Sequence, residues 1–275
     1  MCSPSDLTRL VARNDLYARR WKHKKKDIWL KEAPSSEEAD IFRPIDIPAP
    51  ELKRVQGRIA KLLIRIAPPD YLFSPVKGRS YVENAAHHRG ARAFKLLDIA
   101  NFFPSCKANR IAWFFGNIMQ CSPDVVAIFV RLTTHQECLP QGAPCSPILA
   151  FFSNLSMWRA IEDEVWTANC NLSVYADDVT ISGGTIPGVM IWRVKQIIHN
   201  HGFCIKPEKE ISLIDAPADI TGVIVRGEKT LLPNRQLKKL RDLRAERRNT
   251  KNPKLREMLD RQIHGRLSQR HQVEQ

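Results

Sequence analysis

Leu172-Ser173-Val174-Tyr175-Ala176-Asp177-Asp178-Val179-Thr180-Ile181-Ser182 sets two adjacent carboxylates between two short runs that alternate as strands, Leu172–Tyr175 and Val179–Ser182. Neighbouring side chains on a strand point to opposite faces, so a tight turn is the economical way to aim both acids at one site. An Asp-Asp pair at a turn is often only a solvated tip. A second carboxylate weighs against that reading. Asp98 ends the apolar run Phe94-Lys95-Leu96-Leu97 and is followed by Ile99-Ala100-Asn101-Phe102-Phe103-Pro104-Ser105. A lone acid after a buried strand can cap a helix. Ser105 is better placed for that job, ahead of Ile111, Phe114, Phe115 and Ile118 at helical spacing, which leaves Asp98 for other work. Acids arriving from a strand end and a hairpin call for a divalent metal.

The 275 residues are 43% hydrophobic, enough to build a core for one large domain or for two or three small ones that share it. Lys and Arg number 43 against 29 acids, a net charge of +14, which points to a polyanionic partner, most simply nucleic acid. The charge is concentrated. One block runs from Arg19-Arg20 through Lys24-Lys25-Lys26, and another from Arg235 to Arg270. Seven scattered cysteines, Cys2, Cys106, Cys121, Cys138, Cys145, Cys170 and Cys204, form no C-x-x-C pair and have no histidines at zinc spacing; they read as thiols in a reducing cytosol. No apolar run approaches the ~18 residues of a membrane span, and Met1-Cys2-Ser3-Pro4-Ser5-Asp6 has no signal-peptide core. A cytoplasmic location without membrane contact is expected.

Residues 1–31 read as a basic amphipathic helix running into a strand or loop, and 32–40 as an exposed loop. Leu52, Val55, Ile59, Leu62, Leu63 and Ile66 recur at helical spacing until Pro68-Pro69. The stretch 73–90, rich in glycine and histidine, is expected to be irregular. From Phe94 to about Leu232 the pattern is strand, helix, loop, helix, hairpin, helix, strand, an α+β arrangement on a mainly antiparallel sheet. From Pro233 the chain reads as helical and basic. Gln141-Gly142-Ala143-Pro144-Cys145-Ser146-Pro147 precedes a helix carrying Ile148, Phe151, Phe152, Leu155, Trp158 and Ile161. Ser146 as N-cap and Pro147 as first helical residue explain half of this motif. Gln141-Gly142 remains: a glycine permits close backbone approach to a ligand, and the amide can touch a base or sugar.

With Asp98-Ile-Ala-Asn-Phe-Phe, Gln141-Gly-Ala-Pro-Cys-Ser-Pro and Tyr175-Ala-Asp-Asp in this order and at these separations, the chain resembles a reverse transcriptase. Asn84-Ala85-Ala86-His87-His88 and Ile220-Thr221-Gly222 narrow the likeness to retron-type bacterial reverse transcriptases, with patterns NAxxH and VTG. Arg43-Pro-Ile, Pro48, Leu52-Lys53 and Gln56 resemble that family's first fingers motif, and the likeness covers about residues 40 to 270. Three departures stand out. Ile220 replaces the valine of VTG, Asn101 sits where the family commonly has an acid, and Lys206-Pro-Glu-Lys209-Glu210 replaces N-x-x-K-T while keeping its lysine.

The resemblance implies an α+β right-hand polymerase with an RRM-like antiparallel palm sheet. The N-terminal basic segment and fingers would span 1–93 and part of 104–140, the palm 94–232 and a short basic helical thumb 233–275, leaving no room for a further nuclease or effector domain. It implies nucleotidyl transfer assisted by two Mg²⁺ ions about 3.5–4 Å apart, with Mn²⁺ as a possible substitute. Asp98 and Asp177 would bridge the ions, Asp178 would be auxiliary, and the Ile99 carbonyl an added oxygen donor. Phe103 would lie under the sugar of the incoming dNTP and exclude a 2′-hydroxyl; a core aromatic is the alternative. Gln141 would contact the nucleotide, Arg43 its β/γ-phosphates, and Lys209 would donate a proton to the leaving pyrophosphate; for each of the three an ordinary surface residue is the alternative. Asn84 and His88 would order the fingers near the template, unless they merely satisfy each other's hydrogen bonds. Tyr175, Thr221 and Gly222 fall on the template or primer side. Arg235, Lys238, Lys239 and Arg241 would grip RNA from the thumb, where the alternative is a solvated basic face.

The implied activity is RNA-directed DNA synthesis on a cognate noncoding RNA (msr-msd), giving a branched RNA–DNA product (msDNA) in an anti-phage system with a separate effector protein. Two alternatives stay open: another bacterial defence reverse transcriptase making linear DNA, and a nucleoprotein scaffold that holds an effector inactive.

Overall fold

A computed structural model describes residues 4–275; residues 1–3, Cys2 among them, lie outside the described residues. In chain order the elements begin with α1 (Pro4–Val11), β1 (Tyr17–His23), β2 (Trp29–Leu30), β3 (Phe42–Pro48), α2 (Pro50–Leu63), β4 (Leu72–Ser74), α3 (Tyr81–Ala86) and β5 (Ala93–Asp98). Helices α4 (Phe102–Ser105), α5 (Ala108–Trp113), α6 (Pro123–Thr133), α7 (Ser146–Phe152) and α8 (Leu155–Thr167) follow. Then come β6 (Asn171–Tyr175), β7 (Asp178–Gly183), α9 (Gly188–Asn200), β8 (Ile211–Ile214), β9 (Ala218–Ile220), β10 (Val223–Arg226), β11 (Lys229–Leu231), α10 (Asn234–Asn249) and α11 (Pro253–Glu274). No helix among the described residues is long and apolar enough to cross a membrane.

The chain folds as two compact units. One holds the chain up to Pro68 with Ala100–Arg159 and Asn200–Phe203; the other holds Pro69–Ile99, Ala160–His199 and Cys204–Gln275. In the first, β2-β1-β3 form a small antiparallel sheet, and Leu10, Leu16, Leu52 and Leu132 bury against one another. Gln56 donates from Nε2 to Tyr17 Oη at 2.7 Å and to the Leu132 carbonyl at 2.9 Å, tying α2 to β1 and α6. In the second, a five-stranded sheet runs β4-β6-β7-β5-β8. Only β4·β6 is parallel; the rest, in order β8-β5-β7-β6, is the antiparallel 4-1-3-2 arrangement of an RRM-like sheet. The fold class is α+β, as the alternation of strands and helices predicts. A second sheet, β11-β10-β9, supplies Ala218, Ile220, Val223 and Val225 to a core shared with Val82, Ala85 and Phe94.

Several expectations are corrected. The basic N-terminal stretch is helical only to Val11, and Tyr17–His23 is a strand. Long-range pairing with β3 decides this, with Arg19 opposite Asp46 and its Nε 2.7 Å from that carboxylate, a cross-strand pair the local charge pattern does not reveal. The expected irregular segment 73–90 contains α3, whose N-terminus is a capping box: Ser80 Oγ accepts from the Glu83 amide and Glu83 Oε2 from the Ser80 amide. Ser105 ends α4 rather than capping α5, whose N-cap is Lys107. Ser146 lies inside α7 behind Cys145, and its hydroxyl donates to the Pro140 carbonyl at 2.8 Å. The helix expected to run from Ile148 to Ile161 breaks into α7 and α8, where Asn154 Nδ2 donates to the Ala150 carbonyl at 2.9 Å.

His88, just past α3, is fully buried against the sheet. Its Nδ1 and Nε2 each lie 2.7 Å from a hydroxyl, of Ser182 on β7 and Ser173 on β6, so one serine donates and the other accepts. Burial, with a smaller push from His87, lowers its pKa from 6.5 to about 3. The unfolded chain therefore takes this proton first. The neutral ring's stability contribution is complete above pH 6.5 and is lost as the pH falls toward about 3. In urea melts recorded below pH 6.5, His88→Gln should lose stability with falling pH less steeply than wild type, by up to about 1.4 kcal/mol per pH unit. Equal slopes would contradict a buried neutral imidazole.

Candidate active site

Asp98 is the last residue of β5 and pairs directly across the ladder with Asp178, the first residue of β7. Tyr175, the last residue of β6, pairs with Asp178 from the other side, so the β6–β7 turn contains only Ala176 and Asp177. Ala176 takes φ 57°, the left-handed conformation that a two-residue hairpin turn demands. The Asp177 carbonyl accepts from the Ile99 amide at 2.9 Å, which ties the turn to the end of β5. Directly opposed residues in an antiparallel pair have Cβ atoms about 4.5–5.5 Å apart. Register therefore sets Asp98 and Asp178 side by side at one end of two interior strands, with Asp177 next to them in the turn.

Their charges are unevenly compensated. Lys206 Nζ donates to Asp98 Oδ1 and Lys209 Nζ to Asp98 Oδ2. Among the described residues no ion pair reaches Asp177 or Asp178. Burial raises the pKa of both, with the neighbouring carboxylates adding to it, and Asp178 is pushed up to about 6. Lys209 is raised by its bond to Asp98. Among the described residues no group of three or more His, Cys, Asp or Glu side chains is arranged as a ready metal cage. Magnesium does not need one: it binds through one or two carboxylates and keeps waters and substrate phosphate oxygens. The donor set of hard oxygens, short of positive charge at Asp177 and Asp178, fits such an ion.

The sequence pattern left Lys206, Glu210 and Lys95 without a role. Lys206 and Lys209 stand on a short 3₁₀ turn, Pro207–Lys209, fixed at both ends. The Lys206 amide donates to the Asp98 carbonyl at 2.9 Å, and Ile205 bridges to Ile99. Beyond the turn, Glu210 pairs with buried Lys95 and with Lys195, whose Nζ is 2.7 Å from Oε2. The departures from N-x-x-K-T were the available signal, since the substituted residues are the ones making these contacts.

Asn84 and His88 do not bond to each other. Asn84 Nδ2 donates to Thr221 Oγ1 at 3.2 Å, and that hydroxyl donates to the Tyr81 carbonyl at 3.0 Å, so the Asn84 and Ile220-Thr221-Gly222 motifs meet. Thr221 and Gly222 both have positive φ, 49° and 86°. On α10, Leu240 is buried while Arg235, Lys238, Lys239 and Arg241 are exposed. Arg235 is paired with Asp219, and farther along Arg247 pairs with Asp260 of α11 at 2.8 Å.

The other unit carries Arg43, Phe103 and Gln141. Arg43 is exposed on β3. Of the adjacent phenylalanines, Phe102 enters the aromatic core with Trp158 and Phe203, its ring centroids 6.1 and 5.6 Å away. Phe103 stays half-buried on α4. The Gln141 carbonyl accepts from the Asp46 amide at 2.7 Å, fixing this loop to β3. Gly142 is needed here by protein packing: at φ 124° a Cβ would lie 2.8 Å from the Asp46 carbonyl oxygen and 3.0 Å from Ile45 Cγ2.

A hairpin presenting two acids beside a third on the adjacent interior strand of an RRM-like sheet is the arrangement of a polymerase palm of the reverse transcriptase class. Residues 23–225 match the family model for reverse transcriptase (RNA-dependent DNA polymerase), and the chain belongs to that family. Within it the chain is similar to retron-type members. The Retron Se72 reverse transcriptase of Salmonella heidelberg is 33% identical over 149 residues, 54% of this chain and 38% of the relative. The Retron Ec86 reverse transcriptase of Escherichia coli is 28% identical over 204 residues, 73% of this chain and 63% of the relative. The chain thus spans less than two thirds of these relatives' length. A solved foamy viral protease-reverse transcriptase in complex with double-stranded DNA aligns with TM-score 0.48 at 16% identity, covering 82% of this chain and 33% of that one.

Gly142→Ala should lower the melting temperature, at a cost of about 1–3 kcal/mol, because backbone on β3 cannot give way as a flexible side chain can. Calorimetry checks it. An unchanged melting temperature would contradict the close approach of this loop to Asp46.

Proposed function

We propose that the chain is a retron-type RNA-directed DNA polymerase that copies a cognate structured noncoding RNA (msr-msd) into DNA from dNTPs, with Mg²⁺ or, in its place, Mn²⁺. The observation that carries this reading is the register of the sheet, which opposes Asp98 to Asp178 and leaves Asp177 in a two-residue turn. Bound metal would supply charge neutralisation on the entering and leaving oxygens of an in-line displacement. Asp98 and Asp177 would hold it, with Asp178 auxiliary and the Ile99 carbonyl as a further oxygen donor. The attacking hydroxyl oxygen loses its proton to solvent water and bonds to the α-phosphorus, the bond from that phosphorus to the bridging β-phosphate oxygen breaks, and Lys209 gives a proton to the departing pyrophosphate, to be reprotonated from solvent.

In the same reading the five-stranded sheet is the palm, 94–232, with fingers before it and a thumb over 233–275. Half-buried Phe103 excludes the 2′-hydroxyl of an incoming ribonucleotide; Gln141 touches the nucleotide and Arg43 its β/γ-phosphates, where the guanidinium fork suits phosphate. Exposed Arg235, Lys238, Lys239 and Arg241 hold the duplex backbone, with Tyr175, Thr221 and Gly222 on the template or primer side. Asn84 and His88, both buried, act by fixing α3 to the sheet and to the Thr221 turn. Synthesis begins from a 2′-hydroxyl of the RNA and yields the branched RNA–DNA hybrid msDNA, which serves anti-phage defence with a separate effector protein.

Sequencing the nucleic acid that copurifies with wild type and with Asp177→Asn tests this reading. Wild type should carry RNA joined through a branch to DNA. The folded variant should carry RNA alone, since losing one ligand charge cuts nucleotidyl transfer by orders of magnitude. Linear DNA on wild type would overturn the retron product, and DNA on the variant would overturn the site.

A further inference from the structure

Lys206 stands where the family pattern has asparagine, and its ammonium meets Asp98, the acid at the end of β5. We propose that Lys206 is a tethered counter-ion that occupies Asp98 in the metal-free protein and competes with the divalent cation for it, so that this one residue raises the metal concentration at which the site fills. The inference rests on the metal-binding reading of Asp98, Asp177 and Asp178.

Three observations carry it. The two oxygens of Asp98 are divided between two ammonium groups, so a cation arriving there meets a positive charge already held at each oxygen. The side chain of Lys206 is 27% exposed against 55% for Lys209, so Lys206 has less water to return to when it leaves Asp98. Its backbone is also immobilised beside Asp98, by the amide bond to the Asp98 carbonyl and the Ile99–Ile205 bridge, while Glu210 anchors the far end of the turn on Lys95 and Lys195. A tethered ion competes at a high effective concentration that does not fall on dilution. The arrangement also lessens the repulsion among the three carboxylates, because Asp177 and Asp178 face an Asp98 whose charge is partly compensated. A metal ion would meet the charge of Asp177 and Asp178 and displace the Lys206 ammonium from Asp98 Oδ1.

The test is Mn²⁺ binding to the full chain without nucleic acid, read from the electron paramagnetic resonance signal of unbound Mn²⁺. Lys206→Gln and Lys206→Asn should each bind Mn²⁺ about tenfold more tightly than wild type, the fold-change equivalent of one charge-assisted hydrogen bond. Lys206→Arg, which keeps the charge, should stay near wild type. In thermal melts without divalent ion the neutral variants should unfold at lower temperature and gain more from added Mn²⁺, a pattern that general misfolding would not give. Unchanged or weaker Mn²⁺ binding by the neutral variants, or equally tight binding by Lys206→Arg, would overturn the inference while leaving the metal site standing. Mn²⁺ binding by wild type that Asp98→Asn leaves unaltered would overturn the metal reading, and this inference with it.

Discussion

The antiparallel register that sets Asp98 opposite Asp178 is the constraint on which the rest of this site depends. A slip of one residue would turn Asp178 to the other face of the sheet and exchange buried Val179 and Thr180 between its two faces, so the packing that fixes the strands also fixes the chemistry. The same register creates an electrostatic problem, because three carboxylates at one end of the sheet repel each other and two of them are half-buried. Part of the answer lies within the chain, in the lysines of the 206–209 turn, which neutralise one acid and leave two. That imbalance gives the site its affinity for positive charge.

Much of the surrounding structure serves to hold that end still. His88 bonds to two sheet strands at once, and the Asn84–Thr221 contact ties α3 to the turn before β10. Lys95 reaches across from β5 to Glu210, so the strand carrying Asp98 also anchors the turn that carries its lysine partners. In the other unit, the Gln141–Gly142 loop is fixed by backbone, through a hydrogen bond and a contact that allow no side chain at position 142. Both units position their motif residues by backbone pairing, which resists thermal displacement better than long side chains do.

The acids were legible in the sequence because strand alternation and a two-residue turn leave few other ways to arrange Tyr175-Ala-Asp-Asp, and Asp98 follows a run that only a buried strand explains. The capping box at Ser80 and Glu83 was equally legible, yet the glycines and histidines around it read as loop. What local pattern could not give was pairing across long separations. Within 1–31 the point where helix gives way to strand is not legible until β3 lies beside Tyr17–His23, and Ser146 looks like a cap until the Pro140 carbonyl takes its hydroxyl. The two lysines on Asp98 arrive from more than a hundred residues away. No periodicity encodes such a contact, although Lys206 in place of asparagine marked the position where one occurs.

The most direct measurement of the central claim is anomalous diffraction from crystals of the chain soaked in Mn²⁺. The account predicts a peak at that end of the sheet within coordination distance of Asp98 and Asp177, with the Lys206 ammonium moved off Asp98. Mn²⁺ bound elsewhere, or a site that stays metal-free with both lysines still on Asp98, would contradict it.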